Sequence, residues 1–134
     1  MADDDIELDI NPETVCRIIG KAREFHAKEE VVLPDTPFEP GDTSPLQVLA
    51  DHVDDPTYAE LKIIIKDLEP DQQVAVVALM WLGRGDYALE EWEEALQEAR
   101  DAWNPRTDDY LIATPMVADY LEEGLALFGH SCEG

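Results

Sequence analysis

The residues able to do chemistry are few in kind: 32 Asp and Glu, three His and two Cys among 134 residues. Carboxylates hold a metal when histidine recurs beside them at helical spacing, yet the paired Glu-x-x-His of di-iron bundles does not occur. His-Glu-x-x-His, Cys-x-x-Cys and the EF-hand loop are also missing. His26 and Glu29 lie one turn apart, but a single pair is too few ligands for a site. His130 and Cys132 fall in a terminal stretch that reads as a loose tail. Ser131 has His130 and Glu133 beside it, but neighbours at a chain end do not make a triad, and no Gly-x-Ser-x-Gly elbow exists. Cys16, next to Arg17, sits at the border of a helical stripe and reads as a quiet, partly buried thiol. Gly83 and Gly85 lack the lysine and the spacing of a phosphate loop. No catalytic, metal or cofactor-binding residue is assigned, and the chain is expected to be non-enzymatic. A site assembled from scattered residues stays open as an alternative.

The sharpest local feature is Gly83-Arg84-Gly85-Asp86. Glycine terminates helices in the left-handed conformation and aspartate caps the next one, so the first reading is a tight helix connection. Arg84 then faces the negative end of one helix and Asp86 the positive start of the next. The second reading makes Arg84 an exposed base in an acidic field, able to grip a carboxylate or phosphate in bidentate fashion. Arg84, Asp86 and Tyr110 are the interaction candidates. A DNA-reading helix-turn-helix fails on charge, because the second helix carries Glu90, Glu91, Glu93, Glu94 and Glu98.

Helices must position these residues, and helix signals dominate the chain. Asn11-Pro12, Ser44-Pro45 and Asp55-Pro56 each place a capping side chain ahead of a proline at the first helical position. Val15, Ile18, Ile19, Ala22 and Phe25 give the first helix one apolar stripe, to about residue 28. Prolines punctuate 31–44, a loop, before a short helix over 45–52. Tyr58, Leu61, Ile64, Ile65 and Leu68 form the buried face of the next helix. The helix opened by Pro70 is apolar all round from Val74 to Leu82 and should be the buried centre of the fold. A helix from about 87 to 103 turns Trp92, Ala95, Leu96, Ala99 and Trp103 inward. Thr107 caps a short helical turn, and Thr114-Pro115 opens a last helix that stops at Gly129. The expected fold is all-α: one compact helical bundle or irregular array of about six helices, with a buried central helix. Residues 1–10 form an acidic tail, in which Ile6, Leu8 and Ile10 alternate with acids, and 11–134 a single domain.

Composition bounds the partners. Only 9 basic residues oppose the 32 acids, a formal net charge of -23. Affinity for nucleic acid and anionic lipid comes largely from Lys and Arg, so direct binding to either is excluded. Carboxylate repulsion opposes compaction, and moderate salt should raise the melting temperature. Two cysteines near opposite ends lack the density of a disulfide scaffold, so reduced thiols are expected. An acidic amino-terminal stretch without an apolar core is no signal peptide, and no apolar run approaches the ~20 residues of a membrane span. The expected location is the cytoplasm, and homo-oligomerisation is left open.

Across Ala78 to Asp86, Trp92, the run Asp109-Tyr110-Leu111-Ile112-Ala113-Thr114-Pro115 and the Ser131-Cys132-Glu133 end, the chain resembles a bacterial family known as domain of unknown function 3775. The resemblance spans roughly 56–132 and implies a helical fold and no assigned reaction. The leading functional expectation is a non-enzymatic interaction or regulatory module with an unknown protein partner. Its rival is an acidic nucleic-acid mimic that occupies the groove of a basic DNA-binding protein.

Overall fold

The computed structural model describes residues 8, 10–27, 49, 55–114 and 116–132. They form six α-helices: α1 (Pro12–His26), α2 (Pro56–Lys66), α3 (Pro70–Arg84), α4 (Trp92–Ala102), α5 (Thr107–Ala113) and α6 (Val117–Leu127). A 3-10 turn over Leu89–Glu91 leads into α4, and no strand occurs among the described residues. The loop expected over 31–44 lies outside the described residues, as does the helix expected over 45–52 except for Leu49, which is helical and buried.

Capping chemistry sets the helix starts. Asn11 Oδ1 accepts the Glu13 N–H at 2.8 Å, and Asp55 Oδ1 accepts that of Thr57 at 2.8 Å, each ahead of its proline. The Gln72 side chain accepts the Glu69 N–H at 3.0 Å at the start of α3. All five residues of the predicted α1 stripe are buried. In α3 every residue from Gln73 to Leu82 is buried, so the all-round apolar helix is the axis of the fold.

α3 packs chiefly against α6 and α4, while α1 lies against α6 and α2. α2 packs mainly on α1 and α5, and its Ile65 carbonyl accepts the Gln73 side-chain N–H of α3 at 2.9 Å. Ile18, Leu61, Ile65, Val76, Leu111 and Leu121 converge from five helices at the centre.

The two glycines after Leu82 have different tasks. Gly85 has φ 96° and terminates α3, whereas Gly83 is still helical. A Cβ on Gly83 would collide with the Tyr120 carbonyl oxygen and lie 2.9 Å from the Gly124 nitrogen. A Cβ on Gly124 would lie 2.5 Å from the Leu79 carbonyl oxygen. This reciprocal contact lets the α3 and α6 backbones nearly touch.

Three expectations are corrected. α4 begins at Trp92 rather than near 87, since the chain first makes the 3-10 turn, with Glu91 Oε1 accepting the Ala88 N–H at 2.8 Å. Trp103 lies past the end of α4 in extended backbone ahead of Asn104-Pro105, and is 37% exposed rather than inward. The last helix begins at Val117, after Met116 in the left-handed region at φ 62°.

The thiol expectation fails as well. Cys16 and Cys132, 116 residues apart, form a disulfide with a Cα–Cα distance of 5.5 Å. α1 runs antiparallel to α6: Arg23 reaches Asp119 at 2.9 Å and Glu122 at 2.8 Å, and seven residues earlier Cys16 meets the chain beyond α6. The carboxy-terminal stretch to Cys132 is therefore tied down, not loose. At the other end Ile10 is buried and Leu8 packs against the core, so apolar packing reaches back into the predicted tail.

Candidate functional site

Seven residues of α5, including Asp108 and Asp109, are all buried. Their entry is prepared by Asn104, whose Oδ1 accepts the Arg106 N–H at 2.7 Å, and by Thr107, whose hydroxyl donates to the Asn104 carbonyl at 2.8 Å. The two aspartates face α2, where Tyr58, Lys62 and Lys66 recur every four residues on one face. Lys62 Nζ donates to Asp108 Oδ2 at 2.8 Å and to Asp109 Oδ1 at 3.0 Å. The Tyr58 hydroxyl donates to the same Asp109 oxygen at 2.9 Å. Lys66 stands further off, 3.9 Å from Asp108 Oδ2 and 3.5 Å from the Pro105 carbonyl.

The cluster holds Lys62 charged and Tyr58 protonated. Burial opposes the charge on Lys62, but the hydrogen bonds it donates to Asp108 and Asp109 outweigh it and hold its pKa above the ordinary value. Burial, reinforced by Asp109, pushes the Tyr58 hydroxyl up to about 12. Neither group is poised to exchange a proton near neutrality, as a general acid or base must be. Asp108 is 2% exposed, and its Oδ1 has no hydrogen-bond partner among the described residues.

Two depressions flank the cluster. One, of about 470 Å³, is an open groove along α2 past Tyr58, Lys62 and Ile63. The other, of about 290 Å³, lies where α2, α3 and α5 meet the end of α4, between Lys66, Leu68, Pro70, Trp103, Pro105 and Asp108. Its Trp103 wall is fixed from behind. The indole N–H donates to Gln73 Oε1 at 2.7 Å, and Gln73 Nε2 donates to the Ile65 carbonyl at 2.9 Å.

The sequence candidates Arg84, Asp86 and Tyr110 do come together. Arg84 donates through Nε and Nη2 to Asp86 Oδ2 at 2.9 and 2.7 Å across the left-handed Gly85. The buried Tyr110 hydroxyl accepts the Trp81 indole N–H at 2.9 Å. Burial opposes the charge on Arg84; the Asp86 carboxylate and then the Tyr110 hydroxyl outweigh it, so its pKa is raised. Arg84 is not the exposed base of the second sequence reading. Its side chain is 20% exposed and is committed to Asp86. Asp86 in turn neutralises Arg84, while helix capping ahead of α4 passes to Glu91.

Tyr58, Lys62, Lys66, Trp103, Asp108 and Asp109 were missed as a group. The signal was present: two of the chain's four lysines lie one turn apart on one helix, and Asp108-Asp109 directly precede a run of apolar residues. Elsewhere Glu90, Glu93, Glu94 and Glu98 are exposed along the 3-10 turn and α4, with no Lys or Arg within ion-pair distance among the described residues. Also among the described residues, no three His, Cys, Asp or Glu side chains group to hold a metal ion, and no helix is long and apolar enough to cross a membrane.

A family model described as "Protein of unknown function (DUF3775)" matches residues 58–130. The match contains the whole α2–α5 cluster and the Arg84 turn, and leaves both cysteines outside. No curated protein and no solved structure matches the chain.

Proposed function

The chain belongs to the DUF3775 family of unknown function, and from that premise we propose that it is a non-enzymatic interaction module that engages a basic protein partner. The observation that carries this reading is where its few cations go. Lys21 pairs with Glu60, Arg23 with Asp119 and Glu122, Lys62 with Asp108 and Asp109, and Arg84 with Asp86. Four of the nine cations are thus used between helices and within a turn, while Glu93, Glu94 and Glu98 of α4 face solvent with no Lys or Arg within ion-pair distance among the described residues. A surface of one sign steers an opposite surface into contact and rejects like-charged partners. The two titratable groups of the buried cluster with shifted pKa values, Tyr58 and Lys62, are moved away from neutrality, which favours a structural role over proton transfer.

Affinity capture from the source organism, with the recovered protein identified and its binding titrated at about 50 and 300 mM NaCl, tests the reading. A basic partner whose affinity falls steeply with salt and drops for Glu93→Gln/Glu94→Gln/Glu98→Gln supports it. Competition of that partner by DNA would mark the nucleic-acid mimic as the specific form. No specific partner, together with turnover of a metabolite, would overturn it. We propose a cytoplasmic location on the low cysteine density; the Cys16–Cys132 bond argues the other way. Alkylation of thiols at the moment of cell lysis decides between them.

A further inference from the structure

We infer that the outward face of α6 is the contact of a two-fold homodimer, in which this helix lies antiparallel against the same helix of a second copy. Among the described residues four large hydrophobic side chains are exposed, and two of them, Met116 at 56% and Leu127 at 49%, stand at the two ends of α6. They are eleven residues apart, close to three full turns, and so share one face. The Tyr120 N–H donates to the Met116 carbonyl at 3.0 Å, which sets residue 116 one turn ahead of 120. Half-buried Tyr120 and exposed Glu123 complete the face at helical spacing. Single exposed apolar residues are ordinary, but apolar residues recurring at this spacing define a contact face.

Both edges of the stripe leave it nearly free of charge. Along α1, Asp119 and Glu122 are occupied by Arg23 at 2.9 and 2.8 Å. Along α3, Gly83 has no side chain to rise beside Tyr120. Glu123 remains, and neither its side chain nor the Tyr120 hydroxyl has a hydrogen-bond or ion-pair partner among the described residues. In order the stripe reads apolar, phenol, carboxylate, apolar, and reversed it is its own complement. An antiparallel two-fold between residues 121 and 122 sets Met116 against Leu127 of the second copy and Tyr120 against Glu123 of the second copy. Each pairing occurs twice, as an isologous interface requires. Each Glu123 carboxylate then gains a phenol donor, and each flexible thioether packs on a leucine. Two copies of net charge -23 repel at long range. The α6 face, unlike that of Glu93, Glu94 and Glu98 on α4, adds little to this repulsion. A contact about 17 Å long is at the low end of specific interfaces, so the dimer is a transient one.

Sedimentation velocity of the full chain at about 10 and about 500 µM, in about 0.1 and about 1 M NaCl, reads the association. The expected result is a monomer–dimer equilibrium that tightens several-fold with salt, as the Debye length falls from about 10 to about 3 Å. Capture of a basic partner weakens with salt instead, so the two readings fail separately. Leu127→Glu, at an exposed position, should abolish the dimer and leave the melting temperature unchanged. Met116→Cys and Leu127→Cys chains, mixed and treated with a short bismaleimide that spares the bonded Cys16 and Cys132, should give a crosslinked dimer. Neither variant alone should, because like positions lie about 17 Å apart along the antiparallel pair. A monomer under every condition, a dimer untouched by Leu127→Glu, association beyond two copies, or crosslinking of one variant alone as readily as of the mixture would overturn the inference. A monomer that captures a different protein, with capture lost in Leu127→Glu, would overturn the second copy as the occupant of this face.

Discussion

Reduction of the Cys16–Cys132 bond should lower the melting temperature by several degrees without unfolding the protein at 25 °C. The bond closes a loop of 116 residues, and the chain-entropy relation for a loop of that length gives about 5 kcal/mol. Native disulfides contribute about 2–5 kcal/mol when measured, because the unfolded chain is less free than the relation assumes. An unfolding entropy of about 2.1 cal/mol/K per residue, over 134 residues, makes 1 kcal/mol worth about 3–4 °C. The expected drop is therefore roughly 7–17 °C. The core around α3 does not include the bond and should hold the reduced chain together. The assay is calorimetry with and without dithiothreitol, on the wild type and on Cys16→Ser, together with thiol counting in denaturant before reduction. A melting temperature unmoved by reductant, or two free thiols in the unreduced protein, would refute the reasoning.

Lys62→Met leaves Asp108 and Asp109 buried without their main counter-ion and should cost about 3–5 kcal/mol, read by urea denaturation; Lys21→Met, which removes an exposed pair with Glu60, should leave the urea midpoint nearly unmoved. Gly83→Ala places a methyl group where the Tyr120 carbonyl stands and should destabilise by about 1–3 kcal/mol or more, whereas the exposed Gly20, with open space around it, should gain stability on substitution by alanine. His26 is half-buried with Nε2 2.8 Å from the Ile112 carbonyl, and burial lowers its pKa below the ordinary 6.5, partly offset by that bond. Since the folded state binds this proton less readily than the unfolded chain, stability is full above pH 6.5 and falls as pH drops from there to the folded pKa. His26→Gln should flatten the melting-temperature profile over that interval; an unchanged slope would show that other groups carry it.

Helix positions were legible because their signals are local. Asn11-Pro12 and Asp55-Pro56 need only their own turn to act as caps, and the Val15 to Phe25 stripe follows from helical periodicity alone. The central place of α3 was legible for a related reason, since a helix without a polar face has nowhere else to go. Features that depend on two distant segments were not. Gly83 reads as a terminator beside Gly85, and only the approach of α6 shows that it is a contact position. Asp108 and Asp109 stand in the first turn of their helix, where acids are favourable without any partner, and only the approach of α2 brings Lys62 to them. Cysteine count suggested thiols, but it says nothing about the antiparallel course of α1 and α6 that joins Cys16 to Cys132. The Arg84, Asp86 and Tyr110 set was found as residues, while its internal pairing was not.

The glycine contact between α3 and α6 also bears on how this sequence can drift. Most core positions tolerate exchange among side chains of similar volume, because neighbours can repack. Gly83 and Gly124 face backbone atoms, which have no alternative rotamers. A methyl group at either position must push two helices apart along their length, and with them the aromatic contact of Trp92 with Phe128, whose ring centres lie 4.9 Å apart. Two glycines separated by 40 intervening residues therefore act as a single inherited unit. That pair offers a way to recognise chains with the same helix crossing when little else in their sequences agrees.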